Sequence, residues 1–196
     1  MERRRKLFQK TCPEKAHPIR WISRKLRPSK TCLNSSKKTP LCELTGFGNA
    51  CDAFHQTASS PDGNGAKRAI SKALQSANLL PSQIDYINVH GTATPNNDLS
   101  EGVAIQTIFG DDVPYFSSTK SLTGHTLGAS GGIEAVLCVM SITHKMIFPS
   151  LNFSTPMKEL TITPVKQLME NIQVQHVLSN SFGFGGNNST LIFSAV

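Results

Sequence analysis

The stretch Ile84–Gly110, IDYINVHGTATPNNDLSEGVAIQTIFG, passes from one kind of element to another. Ile84–Val89 reads as a short strand that ends at His90 and Gly91. Past the turn HGTATP, the residues to Phe109 read as a helix, with Asn97 or Asp98 expected at its N-cap and Gly110 just beyond its end. A strand that feeds a helix through a tight turn is the repeating unit of layered α/β proteins.

The flanking sequence repeats that unit. Upstream, Leu41–Cys51 reads as a strand broken at Gly46 and Gly48, where a bend or close packing is wanted. Ala69, Ile70, Ala73, Leu74 and Ala77 recur at helical spacing and predict an amphipathic helix over Gly65–Leu79, which Pro81 stops. Downstream, VPYFSS (Val113–Ser118) is another strand. GGIEAVLCVMSITH (Gly131–His144) is a helix apolar nearly all round, expected to be buried. QHVLSNSFGFGGNNSTLIFSAV then supplies a strand, a glycine-rich turn and a closing strand, Ser189–Ser194. The pattern is α/β, with a sheet flanked by helices.

Composition bounds the function. The chain has 196 residues, 38% hydrophobic and 17% charged, enough for one soluble domain with its own core. No run of 18 or more apolar residues suggests a membrane span. Residues 1–40 carry 13 of the 20 Lys and Arg but only 2 of the 13 acidic residues, so residues 41–196 are mildly acidic. The basic net charge of +7 therefore says little about nucleic-acid binding by the fold. The chain divides at about residue 40 into a basic leader and a regular domain, 41–196. The leader has no sustained period and reads as a disordered tail. A transit peptide, a nucleic-acid arm, or a segment joined by truncation or a reading-frame change are its other readings. Five widely spaced cysteines without a C-x-x-C argue against a disulfide framework or zinc site and suit a reducing cytoplasm. Cys51 and His55 lack the second ligand pair that a metal site requires.

Three turns place chemical groups beside glycine at strand ends, where α/β proteins gather their active groups. NVHGTATP offers His90, Thr92 and Thr94; STKSLTGH offers Lys120 and His125; SNSFGFGGNN offers Asn180, Phe184 and free backbone amides. Taken singly, a histidine near a strand end is more often structural, and a glycine-rich turn is mostly a turn.

Together and in this order, HGTATPNND with Glu101, STKSLTGHTLGASGGIEA and SNSFGFGGNN resemble the three C-terminal motifs of the β-ketoacyl-[acyl-carrier-protein] synthases, condensing enzymes of the thiolase-like superfamily. The resemblance covers residues 41–196 and excludes 1–40; Ala93 and Asn187 depart from the usual Ser and Thr. It implies the C-terminal half of a thiolase-like layered fold, with a mixed sheet flanked by helices. It implies decarboxylative condensation of malonyl and acyl thioesters carried on acyl carrier protein, in fatty-acid or polyene synthesis. No cofactor is implied beyond the 4'-phosphopantetheine that arrives on the carrier, and the full-length family implies a homodimer.

By that resemblance His90 and His125, as neutral imidazoles, would donate to the enolate oxygen. Lys120 would sit near His125 and Glu101 and keep the histidine in its useful tautomer. The Phe184 N–H would form half of the oxyanion hole and its ring would gate the acyl pocket, while Thr92 and Thr94 would bind the pantetheine arm. Asn88, Glu134, Ser179 and Asn180 would surround a structural monovalent cation.

The family nucleophile is a cysteine in a small-residue turn that opens a helix, where the dipole lowers the thiol pKa. None of Cys12, Cys32, Cys42, Cys51 or Cys138 stands in such a setting. Two readings follow: a condensing enzyme seen as its C-terminal half, or a non-catalytic fragment or partner-binding subunit.

Overall fold

The computed structural model describes residues 39–196, so the expectations for the leader fall outside the described residues. Strand β1 is Glu43–Cys51; helix α1, Asn64–Ala77; β2, Tyr86–Asn88; α2, Pro95–Phe109; β3, Tyr115–Ser117. The four-residue helix α3, Lys120–Thr123, precedes α4, Ser130–His144, and β4, Met146–Ile147. Strands β5, Met169–Glu170, β6, His176–Gly183, and β7, Asn187–Ser194, complete the chain.

Five strands form one sheet in the order β1-β7-β6-β2-β3. β7 runs antiparallel to both β1 and β6. β2 runs parallel to β6 and to β3. A parallel neighbour requires a crossover, and α2 supplies the one between β2 and β3. The sheet is mixed and has helices on both faces. Because successive strand residues point to opposite faces, β2 sends Ile87 toward α1 and α2 and Tyr86 toward α4. β6 likewise sends Leu178 to the first side and Val177 to the second. The larger core joins Ala66, Ile70, Ala73 and Leu74 of α1 to Ala104, Ile105 and Phe109 of α2. The smaller one packs Cys138 and Ile142 of α4 on Tyr86, Val177 and Phe193.

Three expectations need correction. The α2 helix begins at Pro95 with Thr94 as N-cap, ahead of Asn97 and Asp98. Proline at the first helical position has its φ pre-set and no N–H to leave unpaired. β1 is continuous through Gly46 and Gly48, with a register shift between Leu44 and Gly46. Its glycines serve the packing: a Cβ on Gly48 would lie 2.1 Å from the Ala69 carbonyl oxygen of α1. The α4 helix is not buried all round. Glu134, Cys138, Ser141 and Ile142 are covered, while Val136 is 60% exposed, because a helix lying on one sheet face covers one stripe of itself. Leu127–His144 is also long and apolar enough to pass for a membrane span by composition, yet it holds buried Glu134 and packs on β6.

Ile70 is fully buried between α1 and the sheet. Ile70→Ala is expected to destabilise the domain by about 2–5 kcal/mol in urea unfolding. A loss well under about 1 kcal/mol would contradict the packing of α1 on this face.

Candidate functional site

The turn after β2 is held from behind by a carboxylate. Glu101, in the second turn of α2, accepts the His90 and Gly91 backbone N–H groups, each at 2.9 Å. It also accepts Asn180 Nδ2 of β6 at 3.0 Å. Burial pushes the Glu101 carboxyl pKa up, against the pull of these three donors and of the Lys120 charge. Ser118 Oγ donates to the Gly91 carbonyl at 2.8 Å and so joins the turns after β2 and β3. Gly91 permits this approach: its φ is +40°, and a Cβ there would lie 2.6 Å from Ser118 Cβ.

These clamps bring His90 and His125 together. The ring centroids are 5.5 Å apart and the ring planes are nearly perpendicular, at 87°. His90 is buried, and its pKa is pushed down to about 3, first by burial, then by the Lys120 charge and by His125. His125 is exposed on its loop. Its Nδ1 accepts the Leu127 N–H at 3.1 Å, which leaves Nε2 to carry the ring proton of the neutral form. Leu127 takes a left-handed backbone, φ 51°, in the turn that makes this bond.

Lys120 does not set that tautomer. Its ammonium forms a buried ion pair with Glu134 of α4, whose carboxylate also accepts Ser130 Oγ at 3.3 Å and Ser181 Oγ at 3.5 Å. Among the described residues this is the one ion pair between side chains.

Phe184 lies in the turn between β6 and β7 and is 80% exposed. The ring against His90 belongs to Phe182, with centroids 5.8 Å apart. The Phe184 turn is tied to the chain after β1, through Gly185 N–H to the Gln56 carbonyl at 2.7 Å. Thr92 and Thr94 lie side by side, with hydroxyl oxygens 3.0 Å apart, and only Thr92 lines the cavity described below.

The side chains of Asn88, Glu134 and Asn180, expected around a monovalent cation, have protein partners here. Lys120 already occupies the Glu134 carboxylate, and Asn88 pairs with Thr119. Asn180 is spent on Glu101 and Thr190, on the sheet face opposite Ser179. Among the described cysteines, Cys138 is fully buried and its thiol is pushed up to about 12 by burial, far from nucleophilic. Burial also raises the Cys42 thiol.

A cavity of about 580 Å3 opens beside the histidines. His125, Thr92, Ser118 and Lys120 contribute to its wall. So does Asp98, whose carboxyl is pushed up by burial. Asp98 was expected at a helix cap; its place here follows from the earlier start of α2.

Comparison with known proteins agrees with the motifs. The sequence profile of the beta-ketoacyl synthase C-terminal domain matches residues 41–154. Over 153 residues, 77% of the chain, it is 48% identical to 3-oxoacyl-[acyl-carrier-protein] synthase 2 of Synechocystis sp. and 42% identical to that of Staphylococcus aureus. It covers 37% and 38% of those relatives, so it spans well under half their length. Among solved structures, a type II PKS ketosynthase complex with its acyl-carrier protein, bound to the hexaketide, matches with a TM-score of 0.80 at 30% identity. That match covers 85% of this chain and 41% of the other. A beta-ketoacyl synthase from Burkholderia phymatum matches with a TM-score of 0.76 at 34% identity, over 84% of this chain and 40% of that one. The fold is thiolase-like.

Two outcomes test the electrostatics. Lys120→Met leaves the Glu134 carboxylate buried and unpaired, and is expected to cost about 3–5 kcal/mol in chemical unfolding. The double variant Lys120→Met/Glu134→Leu is expected to recover most of that loss, since an apolar pair needs no desolvation. Equal instability of the two proteins would contradict the pairing. For His90 the folded pKa lies below the unfolded value, so between about pH 6.5 and 3 the unfolded chain alone binds the proton. Stability contributed by neutral His90 is therefore present at pH 7 and lost as pH falls through that window. His90→Gln is expected to flatten the decline by up to about 1.4 kcal/mol per pH unit, read from unfolding curves at pH 5 and pH 7.

Proposed function

We propose that this chain, which belongs to the beta-ketoacyl synthase family, carries the decarboxylation half of a condensing-enzyme active site. The observation that supports this most directly is the convergence of His90 and His125, one kept neutral by burial and the other held with Nε2–H free to donate. Two such donors suit one oxygen that gains negative charge. When the bond between the malonyl α-carbon and its carboxylate breaks, carbon dioxide leaves and the electron pair becomes an enolate on the thioester oxygen. His90 and His125 stabilise that enolate. Its carbon then attacks an acyl thioester, forming the new carbon–carbon bond and expelling a thiolate. The Phe184 backbone N–H serves the oxyanion of that second step, and its exposed ring is free to gate the acyl side. Thr92 and Thr94 hold the phosphopantetheine arm. The partners are acyl carrier protein and the acyl and malonyl thioesters it brings; the setting is the cytoplasm, and the assembled enzyme is a homodimer.

The thiolate that holds the acyl group is not Cys42 or Cys138, whose thiols burial raises. This favours a second reading for the polypeptide on its own, that of a non-catalytic or partner-binding subunit. The two readings part in one assay. The 196-residue polypeptide is incubated with labelled malonyl- and acyl-carrier protein, and the products are followed by mass spectrometry. Slow loss of carbon dioxide is expected, falling about 100-fold or more, to background, in His90→Ala and in His125→Ala. No 3-ketoacyl product is expected, because the covalent acyl intermediate is missing. Decarboxylation unaltered in both variants would refute the histidine roles. A 3-ketoacyl product with an acylated cysteine would refute the need for a nucleophile from elsewhere.

A further inference from the structure

The two edges of the five-stranded sheet are closed in different ways. At β3 the segment 148–165 lies along the edge. There the Val165 N–H donates to the Phe116 carbonyl at 2.9 Å, and the Ser118 N–H donates to Ser150 Oγ at 2.8 Å. At the opposite edge β1 pairs with β7 alone, and no strand among the described residues lies on its outer side. β1 is nine residues long. A long edge strand with open main-chain groups is a template for a further strand.

Two cations of α1 reach over that template. Lys72 Nζ donates to the Asn49 carbonyl at 2.8 Å, and Arg68 Nη1 donates to the Cys51 carbonyl at 3.3 Å. In an antiparallel ladder, successive residues turn their N–H and C=O groups alternately toward and away from the partner strand. The Asp52 N–H points toward β7, donating to the Gly186 carbonyl at 3.0 Å, so Cys51 and Asn49 are the residues that face outward. Arg68 and Lys72 stand one helical turn apart and share a face of α1. Their reach depends on two glycines of β1. A Cβ on Gly46 would lie 2.5 Å from the Ala73 carbonyl oxygen, and one on Gly48 would lie 2.9 Å from Lys72 Cβ. The helix therefore rests directly on β1. Both cationic residues are exposed, and neither has a carboxylate partner among the described residues.

We infer that Arg68 and Lys72 guard the outer edge of β1 against antiparallel pairing with β1 of a second copy of this chain. Two copies that meet edge to edge about a two-fold axis present the same strand to each other. Each brings the same two cations, so the meeting sets like charges side by side. The carbonyls that the incoming strand needs are also already bonded. An unrelated peptide would meet only one pair of cations and could carry carboxylates to match them. The guard therefore acts most strongly against self-association.

The test is analytical ultracentrifugation of the 196-residue chain over a range of concentrations, with amide exchange at Asn49 and Cys51 followed by NMR. Wild type is expected to exchange freely at both amides at every concentration. In Arg68→Ala/Lys72→Ala the cations leave the edge, and alanine, the strongest helix former, keeps α1 intact. The dissociation constant for self-association is then expected to fall about tenfold or more, and both amides become protected as concentration rises. Adding Asn49→Pro removes an outward N–H without removing a bond to β7, a place where an edge strand tolerates proline. It is expected to return association to the wild-type level. Circular dichroism checks that this triple variant folds; where it does not, the exchange of Asn49 and Cys51 in the double variant decides. An unchanged dissociation constant in the double variant overturns the inference. Tighter association without protection of these amides overturns it too, since the copies then meet through another surface. So does protection of Asn49 and Cys51 in dilute wild type, which would mean that the edge is already paired.

Discussion

The site depends on the Glu101 carboxylate. It is buried, and a buried charge persists only if its lone pairs are filled. The three donors that fill them come from two places: the backbone of the turn after β2 and the Asn180 amide of β6. One side chain of α2 thereby locks a helix, a strand end and a neighbouring strand in mutual register. His90 is positioned through its own backbone, which leaves its ring free of structural bonds. The Nδ1 atom of that ring is buried without a partner, so the imidazole is held by packing against Phe182 and His125. Positioning through the main chain leaves the imidazole unbonded.

Much of this was readable from residue order. The period of Ala69–Ala77 located α1, and the strand, turn and helix of Ile84–Gly110 located β2 and α2. The three glycine-flanked turns named both histidines and their lysine. What escaped depends on contacts that leave no local pattern. SFGF contains two phenylalanines, and which one meets His90 depends on β6 continuing to Gly183. The donor that sets the His125 tautomer is a backbone N–H, visible only once Leu127 adopts its left-handed turn. A buried carboxylate such as Glu134 demands a partner. The partner is Lys120, which α3 and the start of α4 bring round to it. The segment 148–165 has no period of any kind, and its role in lining the cavity comes entirely from tertiary packing on α2.

The helical stripe on α4 shows the same limit from the opposite direction. An apolar helix reads as buried because burial is what apolar surface needs. The described sheet offers α4 one face, and Glu134, Cys138, Ser141 and Ile142 take it. Val136 remains exposed. Hydrophobicity states a requirement, and only the neighbouring elements state how much of it is met.

The Lys120 ammonium acts on the charge of the groups around the turn after β2. A histidine among carboxylates becomes a cation, because each negative charge within about 4–6 Å favours protonation. Glu101 accepts the His90 backbone N–H, and Glu134 pairs with Lys120. Lys120 works against protonation there: its charge pairs with Glu134, favours the ionised form of Glu101, and disfavours a proton on His90. Burial alone would also push His90 toward neutrality, and it is the larger influence.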